Sequence, residues 1–100
     1  MYTVFTSEKF QSWFNTLRDI HAKQTIARCL QKIKTGNLGD WKAICGNLFE
    51  IRLHIGPGYR LYFTRTGNEI FFLLCGGDKS SQLKDIATAK RILKAMGEGN

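Results

Sequence analysis

The chain is short of acidic residues, of proline and of pairable cysteine. Eight Asp and Glu stand against fifteen Lys and Arg, a formal charge of +7 with a pI near 9.6. That imbalance points to a polyanionic partner, whether nucleic acid or an acidic protein surface. The three cysteines, Cys29, Cys45 and Cys75, are odd in number and form no CxxC. Neither a disulfide framework nor a common zinc site is indicated. With two histidines, His21 and His54, no pair of ligands falls at metal spacing, and neither metal nor cofactor is expected. No apolar run reaches the roughly 20 residues that cross a bilayer, and no signal peptide is visible, so no membrane partner and a cytoplasmic location are expected. There are no repeats and no low-complexity linker. One hundred residues, 43% hydrophobic, make a single domain over 1–100, near the small end of those that fold alone.

What the chain does have is one strongly patterned stretch, residues 47–82. Phe49, Ile51, Leu53 and Ile55 alternate with Glu50, Arg52 and His54, which predicts a strand with one buried face. Gly56-Pro57-Gly58 turns the chain into a second strand, Tyr59 to Arg65, where Leu61 and Phe63 alternate with Arg60, Tyr62 and Thr64. Gly67-Asn68 is a hairpin signal, and Ile70 to Cys75 is apolar throughout, as a central strand would be. Gly76-Gly77 breaks the pattern before Asp78-Lys79-Ser80-Ser81 opens a helix.

Keeping one face apolar predicts that Leu53 pairs with Leu61 and Ile51 with Phe63, placing His54 opposite Arg60 and Arg52 opposite Tyr62. Across the second turn Leu61 should pair with Leu74 and Phe63 with Phe72, with Arg60 beside Cys75. One face is then core. The other carries Arg52, His54, Arg60 and Tyr62 next to Phe71, Leu73 and Cys75, a cationic strip beside an exposed apolar patch of the kind that marks a partner site.

The flanking segments supply the covering elements. Tyr2 to Phe5 is a short β-prone stretch, and Thr6 or Ser7 caps a helix from Glu8 to about Leu17 with Phe10, Trp13, Phe14 and Leu17 on one stripe. A second helix runs from about Ile20 to Lys34, its buried stripe Ile26, Cys29, Leu30 and Ile33, and Gly36 or Asn37 ends it. Trp41 to Cys45 is a short edge strand flanked by Asp40 and carrying Lys42. The last helix, about Ser81 to Met96, buries Leu83, Ile86, Ala89, Leu93 and Met96, and a tail from Gly97 frays. The expected fold is α+β in the order β-α-α-β-β-β-β-α, an antiparallel meander with helices on one face and the other face open.

The blocks FEIRL, GPGYR and GGDKSSQ, in this order and spacing, resemble the addiction-module killer proteins of the RelE/ParE toxin superfamily, related to HigB-type toxins. The resemblance covers nearly the whole chain. It implies a RelE/ParE-like bacterial toxin of a type II toxin–antitoxin system, neutralised by a cognate antitoxin, with operator DNA bound through the antitoxin complex. The commonest activity in the superfamily is ribosome-dependent cleavage of messenger RNA; one branch instead poisons DNA gyrase. The resemblance carries Arg60, the strand arginine after Gly-Tyr, as a catalytic cation, Lys79 as a second one, and Arg52 as a basic residue on the preceding strand. Glu50 departs from the lysine-rich pattern, and no tyrosine after Tyr62 matches the C-terminal tyrosine that some relatives use.

Cleavage of that type sends a 2′-hydroxyl onto the adjacent phosphate and needs cations on the phosphorane, a proton acceptor and an oriented base, but no metal. Arg60 presents a planar fork to two phosphate oxygens. Lys79 stands at a helix N-terminus, where free N–H groups attract anions. His54 is the group suited to take a proton near neutrality. Tyr62, Arg52 and Lys42 are the expected RNA-binding side chains, and Phe71, Leu73 and Cys75 the expected antitoxin surface. Each also has a plainer reading: Arg52 pairs with Glu50, Arg60 is a structural cation, the glycines only turn the chain. Because Arg60 points away from Leu61 and Phe63, its replacement by alanine is expected to cost within about 1 kcal/mol of stability.

Overall fold

The computed structural model describes residues 1–98. The chain runs β1 (Thr3–Thr6), α1 (Glu8–Thr16), α2 (Ile20–Lys34), β2 (Trp41–Cys45), β3 (Leu48–Leu53), β4 (Tyr59–Thr66), β5 (Ile70–Asp78), a 3-10 turn (Lys79–Ser81) and α3 (Gln82–Glu98). The strands form one sheet in the order β1-β5-β4-β3-β2. β1 is parallel to β5, and β2 through β5 form the expected antiparallel meander. The α+β class and the element order are those the pattern predicts. Of the expected frayed tail, Gly97 and Glu98 complete α3, while residues 99 and 100 lie outside the described residues.

Short polar side chains make the joints. Ser7 Oγ accepts the Phe10 N–H at 3.0 Å and donates to the Leu74 carbonyl at 2.5 Å, so one hydroxyl caps α1 and ties it to β5. Asp19 caps α2 by accepting the Ala22 N–H at 3.1 Å. Phe10, Ile26 and Ile33 then press on Ile51, Leu61, Phe63, Phe71 and Leu73, an apolar layer on one side of the sheet.

The other side is not open. α3 crosses it, and Leu48, Tyr62, Leu74, Cys75 and Ala89 form a second buried cluster lined by Ile86, Ile92, Leu93 and Met96. The apolar β5 is hydrophobic on both faces, Tyr62 of β4 adds to the second, and fully burying a side chain such as Leu74 contributes about 2 kcal/mol. A helix on each face satisfies both. Leu83, assigned to the buried stripe of α3, is instead exposed, and Ile92 packs in the cluster.

Two shifts of register follow from local geometry. Residues 54–58 form a loop closed by the Gly58 N–H on the Ile55 carbonyl at 2.9 Å, with positive φ at Gly56 and Gly58. Leu53 therefore pairs with Tyr59, Ile51 with Leu61, Arg52 with Arg60 and Glu50 with Tyr62, two residues from the expected register. A shift of two keeps every side chain on its face. Between β4 and β5 the ladder slips at Tyr62/Phe63: Tyr62 pairs with Cys75 and Phe63 with Leu73, so Leu74 is the extra residue of a bulge. Past it Leu61 pairs with Gly76 and Arg60 with Gly77, not with Leu74 and Cys75.

Gly76 and Gly77 thus lie inside β5 and do not end it. Neither has positive φ; what they supply is space. A Cβ at Gly76 would collide with the Trp13 ring of α1, and one at Gly77 with the Asp85 carboxylate and Ser81 hydroxyl on the α3 side. The glycine pair lets helices approach this strand from both faces at once.

Candidate functional site

α3 covers β5 and β4 but makes few contacts with β3, and the sheet face toward β2 carries charge instead of apolar side chains. The centre of this region is Glu50, which is fully buried. Its Oε1 receives Arg60 Nη1 at 2.9 Å and lies 3.7 Å from Lys42 Nζ and 4.0 Å from Arg52 Nε. The pairing explains the arrangement. Lys42 is opposite Glu50 across β2–β3, and Arg52 is opposite Arg60 across β3–β4. Two arginines directly opposed repel, and the carboxylate one step along the same face offsets that repulsion. Three cations and one carboxylate leave the cluster positive.

Arg60 is well enclosed, its side chain 13% exposed, whereas Lys42 is 51% and Arg52 35% exposed. Arg60 is therefore not a free surface cation. Its removal would leave Glu50 without its closest counter-ion in a buried site, so the expectation that alanine here is almost neutral for stability is corrected. Glu50, noted in the sequence as a departure from the lysine-rich pattern and as a pairing partner of Arg52, is the residue around which the cations gather. Alternation put it on the right face, but which cations surround it depends on the register.

His54 follows the end of β3 and is not opposite Arg60; Arg52 holds that place. Its side chain is 73% exposed, and its Nε2 lies 2.6 Å from Asp40 Oδ2, in the loop before β2. Asp40 also receives Arg52 Nη2 at 3.5 Å, so His54 joins the cationic cluster through Asp40 and Arg52. Sequence reasoning gave Asp40 no role, because nothing in its spacing from His54 shows the contact.

Lys79 is exposed in the 3-10 turn beyond β5, beside the loop that leads into Arg60: a Cβ on Gly58 would lie 3.5 Å from Lys79 Cβ. The expected free N–H groups are partly used. Asp78 Oδ1 accepts the Ser80 N–H at 2.8 Å and the Ser80 hydroxyl at 2.5 Å, and these bonds hold its carboxyl below the usual range. An anion drawn to Lys79 meets an acidic cap already in place.

Four expected site residues are placed elsewhere. Tyr62 is fully buried under α3, so it offers no stacking surface; burial, then the charge of Glu50, pushes its phenol above the ordinary value. Phe71 and Leu73 belong to the core under α1 and α2. Cys75 is buried on the α3 face, where burial and then Asp85 push its thiol up to about 12. The exposed patch of Phe71, Leu73 and Cys75 does not exist, because the strand that carries them is covered on both sides. Among the described residues no three His, Cys, Asp or Glu converge to hold a metal ion, and no helix is long and apolar enough to cross a membrane.

No family model matches the sequence. An uncharacterized protein of Haemophilus influenzae is 39% identical over 92 residues, spanning 92% of this chain and 93% of that one. Among solved structures, the chain is similar to the E. coli toxin RelE, a double arginine-to-alanine mutant in the free state. The TM-score is 0.58 at 18% identity, over 91% of this chain and 97% of that one. The chain therefore belongs to the family of the Haemophilus influenzae protein and has the RelE fold.

Proposed function

We propose that this protein is the toxin of a type II toxin–antitoxin module, of the HigB-like kind, and that it cleaves messenger RNA on the ribosome. The observation that carries the reading is the cluster of Lys42, Arg52 and Arg60 around buried Glu50, on the RelE fold. A buried carboxylate that holds a guanidinium in one orientation prepares it for a phosphate whose charge grows during reaction. Arg60 stabilises the phosphorane, Lys42 and Arg52 bind the RNA backbone, Lys79 adds a cation at the edge, and His54 takes the 2′-hydroxyl proton. The hydroxyl oxygen bonds to phosphorus, the bond to the 5′ oxygen breaks, that oxygen takes a proton from solvent water, and the products are a 2′,3′-cyclic phosphate and a 5′-hydroxyl. No metal enters these steps. The partner in the resting cell is a cognate antitoxin whose acidic residues meet the cationic cluster, and the pair binds operator DNA through the antitoxin.

The test is the mapping of 5′ ends on messenger RNA after induction in a bacterial host. Cuts confined to translated regions, lost in Arg60→Ala, are the expected result. Double-strand DNA breaks with intact transcripts would move the target to DNA gyrase and end the ribonuclease reading.

A further inference from the structure

The loop before β2 brings a carboxylate to the one imidazole of the site. Asp40 Oδ2 lies 2.6 Å from His54 Nε2, and Oδ1 lies 3.5 Å from Arg52 Nη2. The loop is itself held. The Asp40 carbonyl accepts the Arg52 N–H at 2.8 Å, and Asn37 Oδ1 accepts the Gly39 N–H at 3.0 Å. The hydrogen bond from His54, and then the charge of Arg52, keep the Asp40 carboxyl below its ordinary value, so it is ionised at neutral pH. An ionised carboxylate only accepts hydrogen bonds. Nε2 must therefore donate, and the neutral ring is the Nε2–H tautomer with its lone pair on Nδ1.

We propose that Asp40 is a positioning residue: it selects the Nε2–H tautomer of His54 and orients the ring, so that Nδ1 is the nitrogen that takes the proton. This rests on the ribonuclease reading, which makes His54 the base. A carboxylate that fixes the tautomer and direction of a histidine does the same in serine hydrolases. Here both side chains are largely exposed, 73% for His54 and 43% for Asp40, so the contact adds little to stability and its effect is on the ring. The charged groups sharing this face are Lys42 on β2, Glu50 and Arg52 on β3, and Arg60 on β4. Of these, Arg52 also touches Asp40, and it is the other route from Asp40 to the site.

The experiment compares wild type, Asp40→Ala and Asp40→Asn by the 15N chemical shifts of the His54 ring near pH 8, where an ordinary imidazole is neutral. The same samples are assayed for single-turnover cleavage on programmed ribosomes. Wild type should show the Nε2–H tautomer alone, Asp40→Ala a mixture, and Asp40→Asn, which retains an acceptor oxygen, mostly the wild-type form. Cleavage at saturation should fall about tenfold in Asp40→Ala, part of what a general base contributes, with half-saturation within about twofold. Asp40→Asn should recover most of it. In a His54→Ala background Asp40→Ala should cost nothing more. Mixed tautomers in wild type, or a loss that persists without His54, would overturn the proposal. If wild type itself does not cleave RNA, the ribonuclease reading fails, while the tautomer comparison still decides whether Asp40 governs His54.

Discussion

The two faces of the sheet solve different problems. Under α1 and α2 the face is apolar from β3 through β5, with Ile51, Leu61, Phe63, Phe71 and Leu73 closed over by Phe10, Ile26 and Ile33. Under α3 the face is divided. Leu48, Tyr62, Leu74 and Cys75 pack against the helix, while Lys42, Glu50, Arg52 and Arg60 gather toward β2. The first face is apolar core throughout. The second stabilises the fold with one half and keeps a buried carboxylate with the other, which a domain of this size tolerates only where the charge is paired.

Removing Arg60 should separate the two faces most sharply. Arg60→Ala is expected to lower single-turnover cleavage by roughly 100-fold or more, as the loss of a transition-state donor does. It should also cost about 2 kcal/mol, less than a fully buried pair because Lys42 and Arg52 remain beside Glu50. Arg60→Lys keeps the charge but not the fork, and should recover stability better than cleavage. Melting and cleavage of the same samples check this. A folded Arg60→Ala that cleaves at the wild-type rate would remove the cluster from the chemistry.

Both faces meet at the glycine pair. Gly76→Ala and Gly77→Ala should each destabilise by about 1–3 kcal/mol through overpacking, since one methyl meets an indole and the other a carboxylate. In a domain of this size each kcal/mol lowers Tm by about 4–8 °C. Equal melting of wild type and both variants would mean that α1 and α3 are not pressed against this strand.

A smaller effect tests the entry to α3. Asp78→Ala removes the acceptor of the Ser80 N–H and should cost about 1 kcal/mol. The pH dependence has a defined sign. The folded carboxyl of Asp78 is held below its ordinary value, so its contribution is fully present above that value and is lost as pH falls through the folded one. Melting between about pH 5 and pH 2 should fall less steeply in Asp78→Ala than in wild type. Parallel curves would exclude Asp78 from the acid response.

The smallest test requires no mutation. Cys45 is exposed on the edge strand, while Cys75 is buried with its thiol pushed up to about 12. A thiol reagent near pH 8 should label Cys45 within minutes and Cys75 only on unfolding, as only the thiolate reacts. Rapid labelling of Cys75 would show that α3 leaves its face readily.

How much was legible depended on the range of the interaction. Period-two alternation assigned Phe49, Ile51, Leu61 and Phe63 to one face and Glu50, Arg52, Arg60 and Tyr62 to the other, and the structure keeps every one of those assignments. The helix over Ile20–Lys34 and the edge strand Trp41–Cys45 have the expected bounds. Lys42 and Arg52, expected to bind RNA, and Arg60, expected as a catalytic cation, do come together around Glu50. His54 and Lys79 lie at the margins of that group, and Tyr62 and Cys75 lie under a helix the pattern had placed on the opposite side.

By itself, then, the sequence determined which residues of β3 and β4 share a face, where along the chain the helices run and that the chain is cationic, because each depends on neighbours a few positions apart or on composition alone. Only the tertiary structure decided the rest. The Gly56–Gly58 loop and the β2–β3 pairing set the registers that bring Glu50 among its three cations, and the bulge at Leu74 set Arg60 opposite Gly77. The docking of α3 on the second face buried Tyr62, and the loop at Asp40 reached His54. Those outcomes depend on loop closure and on competition between covered surfaces, which couple residues distant in the chain and leave no periodic trace in it.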